Sequence, residues 1–86
     1  MNGATRHEID ADAFVVEHVD GARCVFQTWR RVGGILRHVG RTIEVKKSAP
    51  KKPGEDDPAP FDERRRDGME RAIAMRDDPL SKEIIA

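Results

Sequence analysis

The sequence predicts a small α+β protein: a β-hairpin or meander over about residues 12–47, a flexible proline-rich linker and a C-terminal α-helix. Three observations predict this class. β-branched and aromatic residues are frequent before residue 47, prolines concentrate in residues 48–60, and a helical pattern of apolar residues follows. The 86 residues leave room for one domain, which divides into residues 1–47, 48–60 and 61–86.

The first hairpin is predicted from a turn signal between two apolar segments. Residues 13–19 and 22–29 are rich in strand-forming residues, and Asp20-Gly21 between them is typical of a type I′ turn, which needs positive φ angles. Residues 1–10 look frayed. A two-residue loop at this position sets three facing pairs, which are Val19 with Ala22, Glu17 with Cys24 and Val15 with Phe26.

Residues 30–40 admit two interpretations. In the first, Gly33-Gly34 is a second turn, a third strand follows, and Gly40 is a bulge or turn before a strand over residues 42–46. In the second, Thr28 caps a helix with an apolar stripe of Trp29, Val32, Leu36 and Val39. We favour the strands, because adjacent glycines each weaken a helix by about 1 kcal/mol relative to alanine.

The C-terminal third is predicted to be helical and tethered by a mobile linker. Four of the five prolines lie in residues 48–60, which have no large apolar residue to offset the entropy of ordering. Asp62 is the predicted N-cap of a helix from about Glu63 to Arg76, in which Gly68 is a weak point. Asp78-Pro79 is typical of a further helix start, with a last turn up to residue 86.

Composition predicts a soluble cytoplasmic protein without catalytic residues, metal or other cofactors. Cys24 is a single cysteine, no signal peptide is evident, and no apolar run approaches the roughly 18 residues of a membrane span. His18 and Cys24 fall on opposite faces of the predicted hairpin, so they do not form a zinc site. Cys24 lacks a nucleophile signature, and a buried small cysteine is the common case.

The charge is distributed in three blocks although the net charge is zero. Residues 1–21 carry one cation and five anions, residues 22–52 nine cations and one anion, and residues 53–86 six cations and ten anions. A basic middle interleaved with aromatic residues indicates nucleic-acid binding as one alternative function. The residues predicted for it are Trp29, Arg30, Arg31, Arg37, Arg41, Lys46 and Lys47.

The preferred prediction is a non-enzymatic protein-binding module, such as an inhibitor, an antitoxin or an assembly adaptor, by analogy with small phage and mobile-element proteins. The chain is short, lacks a catalytic motif and ends in a tethered amphipathic segment that can dock on another surface. A homo-oligomeric structural protein, which completes a thin core by self-association, is a further alternative. The predicted partner-binding residues are Met69, Ile73, Leu80, Ile84 and Ile85.

Overall fold

The computed structural model confirms the α+β class and describes residues 3–48, 54 and 59–80. Four strands form one antiparallel sheet in the order β1-β2-β3-β4, so each strand pairs with the next in the chain. A helix and a short 3-10 turn follow. The elements are β1 Gly3–Asp10, β2 Ala13–Val19, β3 Arg23–Val32, β4 Ile35–Lys46, α1 Phe61–Ala74 and the 3-10 turn Met75–Asp77.

The first strand corrects the expectation of a frayed N-terminus. Residues Gly3–Asp10 pair with β2 from Gly3 opposite Val19 to Asp10 opposite Ala13, with a register shift at Ile9. The segment is mostly polar, with Thr5 and Ile9 as its only β-branched residues, so its strand propensity is weak. Pairing with β2 satisfies its backbone groups, and this tertiary contribution outweighs the local preference.

The first hairpin exists, but its predicted turn and register are wrong. The loop residues are Gly21 and Ala22, because the Asp20 amide donates to the Arg23 carbonyl at 3.0 Å. Neither loop residue has a positive φ, so this is not a type I′ turn. Asp20 Oδ1 instead accepts hydrogen bonds from the Ala22 and Arg23 amides at 2.8 and 2.9 Å.

The corrected register moves each facing pair by two residues. Val19 faces Cys24, Glu17 faces Phe26 and Val15 faces Thr28. Because side chains alternate with a period of two, this shift leaves every residue on its predicted face. His18 and Cys24 therefore do lie on opposite faces of the sheet.

The second hairpin confirms the strand interpretation of residues 30–40. Gly33 and Gly34 form its turn with φ angles of 60° and 81°, in the left-handed region that favours glycine. Gly40 has a φ of 68° and lies where the β3–β4 register shifts, so it is part of a bulge. Thr42 to Lys46 form the last part of β4, as predicted.

The helix begins earlier and is capped differently than the sequence predicts. It starts at Phe61 with Pro60 as N-cap residue and no side-chain cap, so Asp62 lies in the first turn. Gly68 is a close-packing position, because a Cβ there would lie 2.9 Å from Val45 Cγ2 and 3.1 Å from Phe26 Cε2. Glycine thus lets α1 approach the sheet closely.

The core lies between α1 and one face of the sheet, which we call the helix face. Val15, Phe26 and Val45 of this face pack with Ala72 of α1. The Thr28 hydroxyl donates to the Ala72 carbonyl at 2.6 Å, which satisfies a buried polar group. The other side of the sheet, which we call the opposite face, carries the alternate residues, among them Phe14, Val16, Val25, Trp29 and Lys46.

The segment after the 3-10 turn is extended, which corrects the predicted second helix start. Asp78 has extended backbone angles, and the Gly40 amide donates to the Pro79 carbonyl at 3.1 Å. Leu80 forms an isolated antiparallel bridge with Val39, so the chain runs along β4 and is not helical at these residues. Predictions for residues 81–86, and for most of the 48–60 linker, fall outside the described residues. No helix among residues 3–48, 54 and 59–80 is long and apolar enough to cross a membrane.

Candidate functional site

A buried carboxylate joins the sheet to the helix. The Glu17 side chain is 1% exposed on the helix face, and Arg65 of α1 binds it with both Nε and Nη2, the latter at 2.8 Å. His7 Nε2 lies 2.9 Å from Glu17 Oε1, and the Cys24 thiol donates to Glu17 Oε2 at 3.0 Å. Residues of β1, β2, β3 and α1 thus converge on one carboxylate, which we call the Glu17 cluster.

The surroundings within the cluster shift the pKa values of the Glu17 carboxyl and the Cys24 thiol in opposite directions. The hydrogen bond from Arg65 lowers the pKa of Glu17 to about 2, although burial opposes this shift. Burial is the largest cause that raises the pKa of the Cys24 thiol to about 12, with the hydrogen bond to Glu17 adding to it. Glu17 is therefore an anion and Cys24 a neutral thiol near neutral pH, whereas a nucleophilic cysteine needs a lowered pKa.

These properties describe a structural ion pair. Arg65 lies on the solvent side of the carboxylate with its side chain 45% exposed, and it connects α1 to the sheet across 48 residues of sequence. Within residues 3–48, 54 and 59–80, no group of three or more His, Cys, Asp or Glu side chains could hold a metal ion. The arrangement therefore stabilises helix docking.

The β3–β4 hairpin extends beyond the rest of the sheet. The last β2–β3 pair is Ala13 with Arg30, and the Arg31 amide adds one hydrogen bond to the Asp12 carbonyl at 2.7 Å. Beyond this point β3 and β4 pair only with each other among the described residues. Residues 31–37, which we call the hairpin end, are all exposed.

The hairpin end exposes three large apolar residues that the sequence analysis did not assign to a binding site. Val32, Ile35 and Leu36 are 40%, 57% and 42% exposed. Their signal in the sequence was the apolar pattern around Gly33-Gly34, which predicted strands beside a turn but not the exposure of these residues. Whether such residues are buried depends on how far β1 and β2 extend beside them, and no local pattern encodes that length.

The residues predicted to bind nucleic acid are divided between the two faces. Trp29, Arg31 and Lys46 belong to the opposite face, and Trp29 packs edge-on against His38 with ring centroids 5.5 Å apart. Arg30 and Arg37 pair across the hairpin on the helix face, where Arg30 Nη1 donates to the Arg76 carbonyl at 2.8 Å. The remaining two are Arg41 in the bulge and Lys47, whose Nζ lies 5.9 Å from the Phe61 ring.

The residues predicted to bind a protein partner differ in their exposure. Met69 is half-buried and packs against the core. Ile73 and Leu80 are 39% and 41% exposed, the first on α1 and the second beside Val39 at the edge of β4. Ile84 and Ile85 lie outside the described residues.

The Glu17 cluster also went unrecognised in the sequence analysis, although a signal for it existed. Glu17 shares its strand face with Val15 and Val19, and a carboxylate on an apolar face indicates a buried partner. The partner itself is 48 residues away in a charge-rich helix, where Arg64, Arg65 and Arg66 are indistinguishable by sequence.

Comparison with known proteins gives no relative for this chain: no family model, curated protein or solved structure matches it.

Proposed function

We propose that the protein is a non-enzymatic protein-binding module, which engages its partner at the margin where the helical layer meets the hairpin end. Four of the five large apolar residues that are exposed in the described part of the chain belong to this side of the sheet. They are Val32, Ile35, Ile73 and Leu80, and we call them the apolar margin.

The position of the margin supports this proposal. The contact between Arg30 and the Arg76 carbonyl marks the point at which the helical layer reaches the hairpin. Val32 and Ile35 form the next cross-strand pair on the helix face, beyond that contact. Leu80 follows the 3-10 turn and bridges Val39, whose side chain is buried on this face.

The exposure of Ile35 is the observation that carries the proposal. A β-branched residue that is 57% exposed in a strand contributes little to the core, and Val32 opposite it is also exposed. Single exposed apolar residues are ordinary, but clusters of them are typical of interaction sites. Burying such side chains against a partner gains roughly 25 cal/mol per Å² of apolar surface.

Affinity capture from the source organism, with and without nuclease, tests the proposal. The wild type is compared with Ile35→Ser and with a double variant, Ile73→Ser and Leu80→Ser. Glu70→Ser, at an exposed position of α1, is the matched control. We expect nuclease-resistant protein partners that the control retains and both margin variants lose. The proposal fails if the margin variants capture the same proteins as the wild type, or if nuclease removes everything captured.

A further inference from the structure

The opposite face and the hairpin carry a positive charge that the rest of the described chain leaves unneutralised. Residues 21–43 contain five arginines and no aspartate or glutamate. Arg23 is paired with Glu44 and Asp20, and Arg30 binds a backbone carbonyl. The side chains of Arg31, Arg37 and Arg41 form no hydrogen bond or ion pair with any described residue. The hairpin is therefore a concentrated cationic surface on a chain of zero net charge.

Aromatic rings lie next to this charge on the opposite face. Phe14, Trp29 and His38 are neighbours across β2, β3 and β4 in one row. Phe14 is buried, and the Arg6 guanidinium lies 3.9 Å above its ring centroid, with Glu8 paired to the same arginine. Trp29 is half-buried and so retains accessible ring surface.

The next row of the same face places a cation beside the tryptophan. Arg31 follows Trp29 by two residues, so the two side chains are about 7 Å apart along one face of β3. Leu36 faces Arg31 across the hairpin and gives the guanidinium an apolar neighbour. An indole with an adjacent unpaired guanidinium suits a base and its flanking phosphate.

We propose that this face binds single-stranded nucleic acid, with a base stacked on Trp29 and a phosphate bound by Arg31. Arg37 and Arg41 add long-range attraction for the backbone. A single strand is favoured over a duplex, because stacking on a side chain of a sheet face requires an unpaired base. This site is separate from the apolar margin and goes beyond the proposed protein-binding function.

Intrinsic fluorescence tests the proposal directly, because Trp29 is the single tryptophan of the chain. The full-length protein is titrated with an oligothymidylate about 15 nucleotides long, at several salt concentrations. We expect the tryptophan emission to be quenched. The logarithm of the affinity should fall with the logarithm of the salt concentration with a slope of about −0.7 for each phosphate bound.

Variants of equal charge change identify the site. Arg31→Ala should weaken binding several-fold and reduce the salt slope by about 0.7. Arg66→Ala, which removes an exposed arginine from α1, should leave both unchanged. Trp29→Phe keeps an aromatic ring, and its binding is followed by the anisotropy of a labelled oligonucleotide. Because its ring is smaller, we expect weaker binding than in the wild type.

Three results would overturn the proposal. One is the absence of quenching and of anisotropy change at low salt. Another is equal binding of a duplex of the same length or of polyglutamate, which would indicate a duplex site or an acidic protein partner. The third is equal loss of affinity in Arg31→Ala and Arg66→Ala. Ile35→Ser, on the helix face, should bind the oligonucleotide normally, so failure of this site is distinguishable from failure of the apolar margin.

Discussion

The Glu17 cluster and the hairpin end use charged residues in opposite ways. At the cluster, one buried carboxylate is bound by residues from β1, β3 and α1, and its charge is neutralised inside the fold. At the hairpin end, the side chains of Arg31 and Arg37 form no hydrogen bond or ion pair with a described residue, and Ile35 is exposed. The comparison indicates that stability is concentrated where α1 meets the sheet, and we propose that binding is concentrated at the hairpin.

Removing Arg65, the member of the ion pair on α1, should have the largest effect on stability. Arg65→Ala leaves the Glu17 carboxylate buried without its main partner, and breaking a buried pair in this way costs about 3 kcal/mol or more. Urea denaturation measures the loss. The double variant Glu17→Leu and Arg65→Leu is the control, and it should recover most of the stability because no charge is left buried. A double variant as unstable as Arg65→Ala would show that the ion pair is not the cause.

Lowering the pH should weaken the contact between Glu17 and Arg65 and so lower the free energy of unfolding. The pKa of Glu17 is about 2 in the folded protein against an ordinary value of 4.5, so the unfolded chain takes up the proton first. The contribution is fully present above pH about 4.5 and is lost as the pH falls through 2, with a total of about 3 kcal/mol. Unfolding free energies of the wild type and of Glu17→Gln across this range test it. Parallel curves for the two proteins would contradict the assignment.

The two hairpin turns should respond differently to alanine. Gly34 has a φ of 81°, so Gly34→Ala should cost about 1 kcal/mol. Gly21 has no positive φ and no heavy atom near its Cβ position, so Gly21→Ala should be neutral or stabilise by roughly 0.5 kcal/mol. The thermal midpoints of the two variants test this difference. Equal losses of stability would indicate that Asp20-Gly21 forms a type I′ turn.

These turns also show how far sequence reasoning reaches. Adjacent glycines predicted the second turn, because few other residues adopt two successive left-handed conformations. Asp20-Gly21 carries an equally strong signal, yet Asp20 uses its carboxylate to bind the amides of the following residues and moves the loop by one position. The predicted face of each strand residue is nevertheless correct, because the register differs from the predicted one by two residues.

Tertiary contacts account for the features that sequence reasoning missed. Strand β1 forms only through pairing with β2, and Gly68 has a role only because Val45 and Phe26 lie against it. The Glu17–Arg65 pair and the exposure of Ile35 likewise depend on where distant elements end. The apolar and basic composition of the hairpin was visible in the sequence, and the division of its residues between two faces follows the alternation of β3 and β4 on either side of the Gly33-Gly34 turn.

We expect the hairpin end to contribute little to the stability of the fold. The most direct test is the unfolding free energy of a double variant, Arg31→Ala and Ile35→Ser, measured beside Arg65→Ala. Both hairpin residues are exposed, so we predict a change within about 0.5 kcal/mol of the wild type, against a loss of about 3 kcal/mol for Arg65→Ala. A loss in the hairpin variant as large as that of Arg65→Ala would show that the hairpin end is part of the folded core, and would contradict the account.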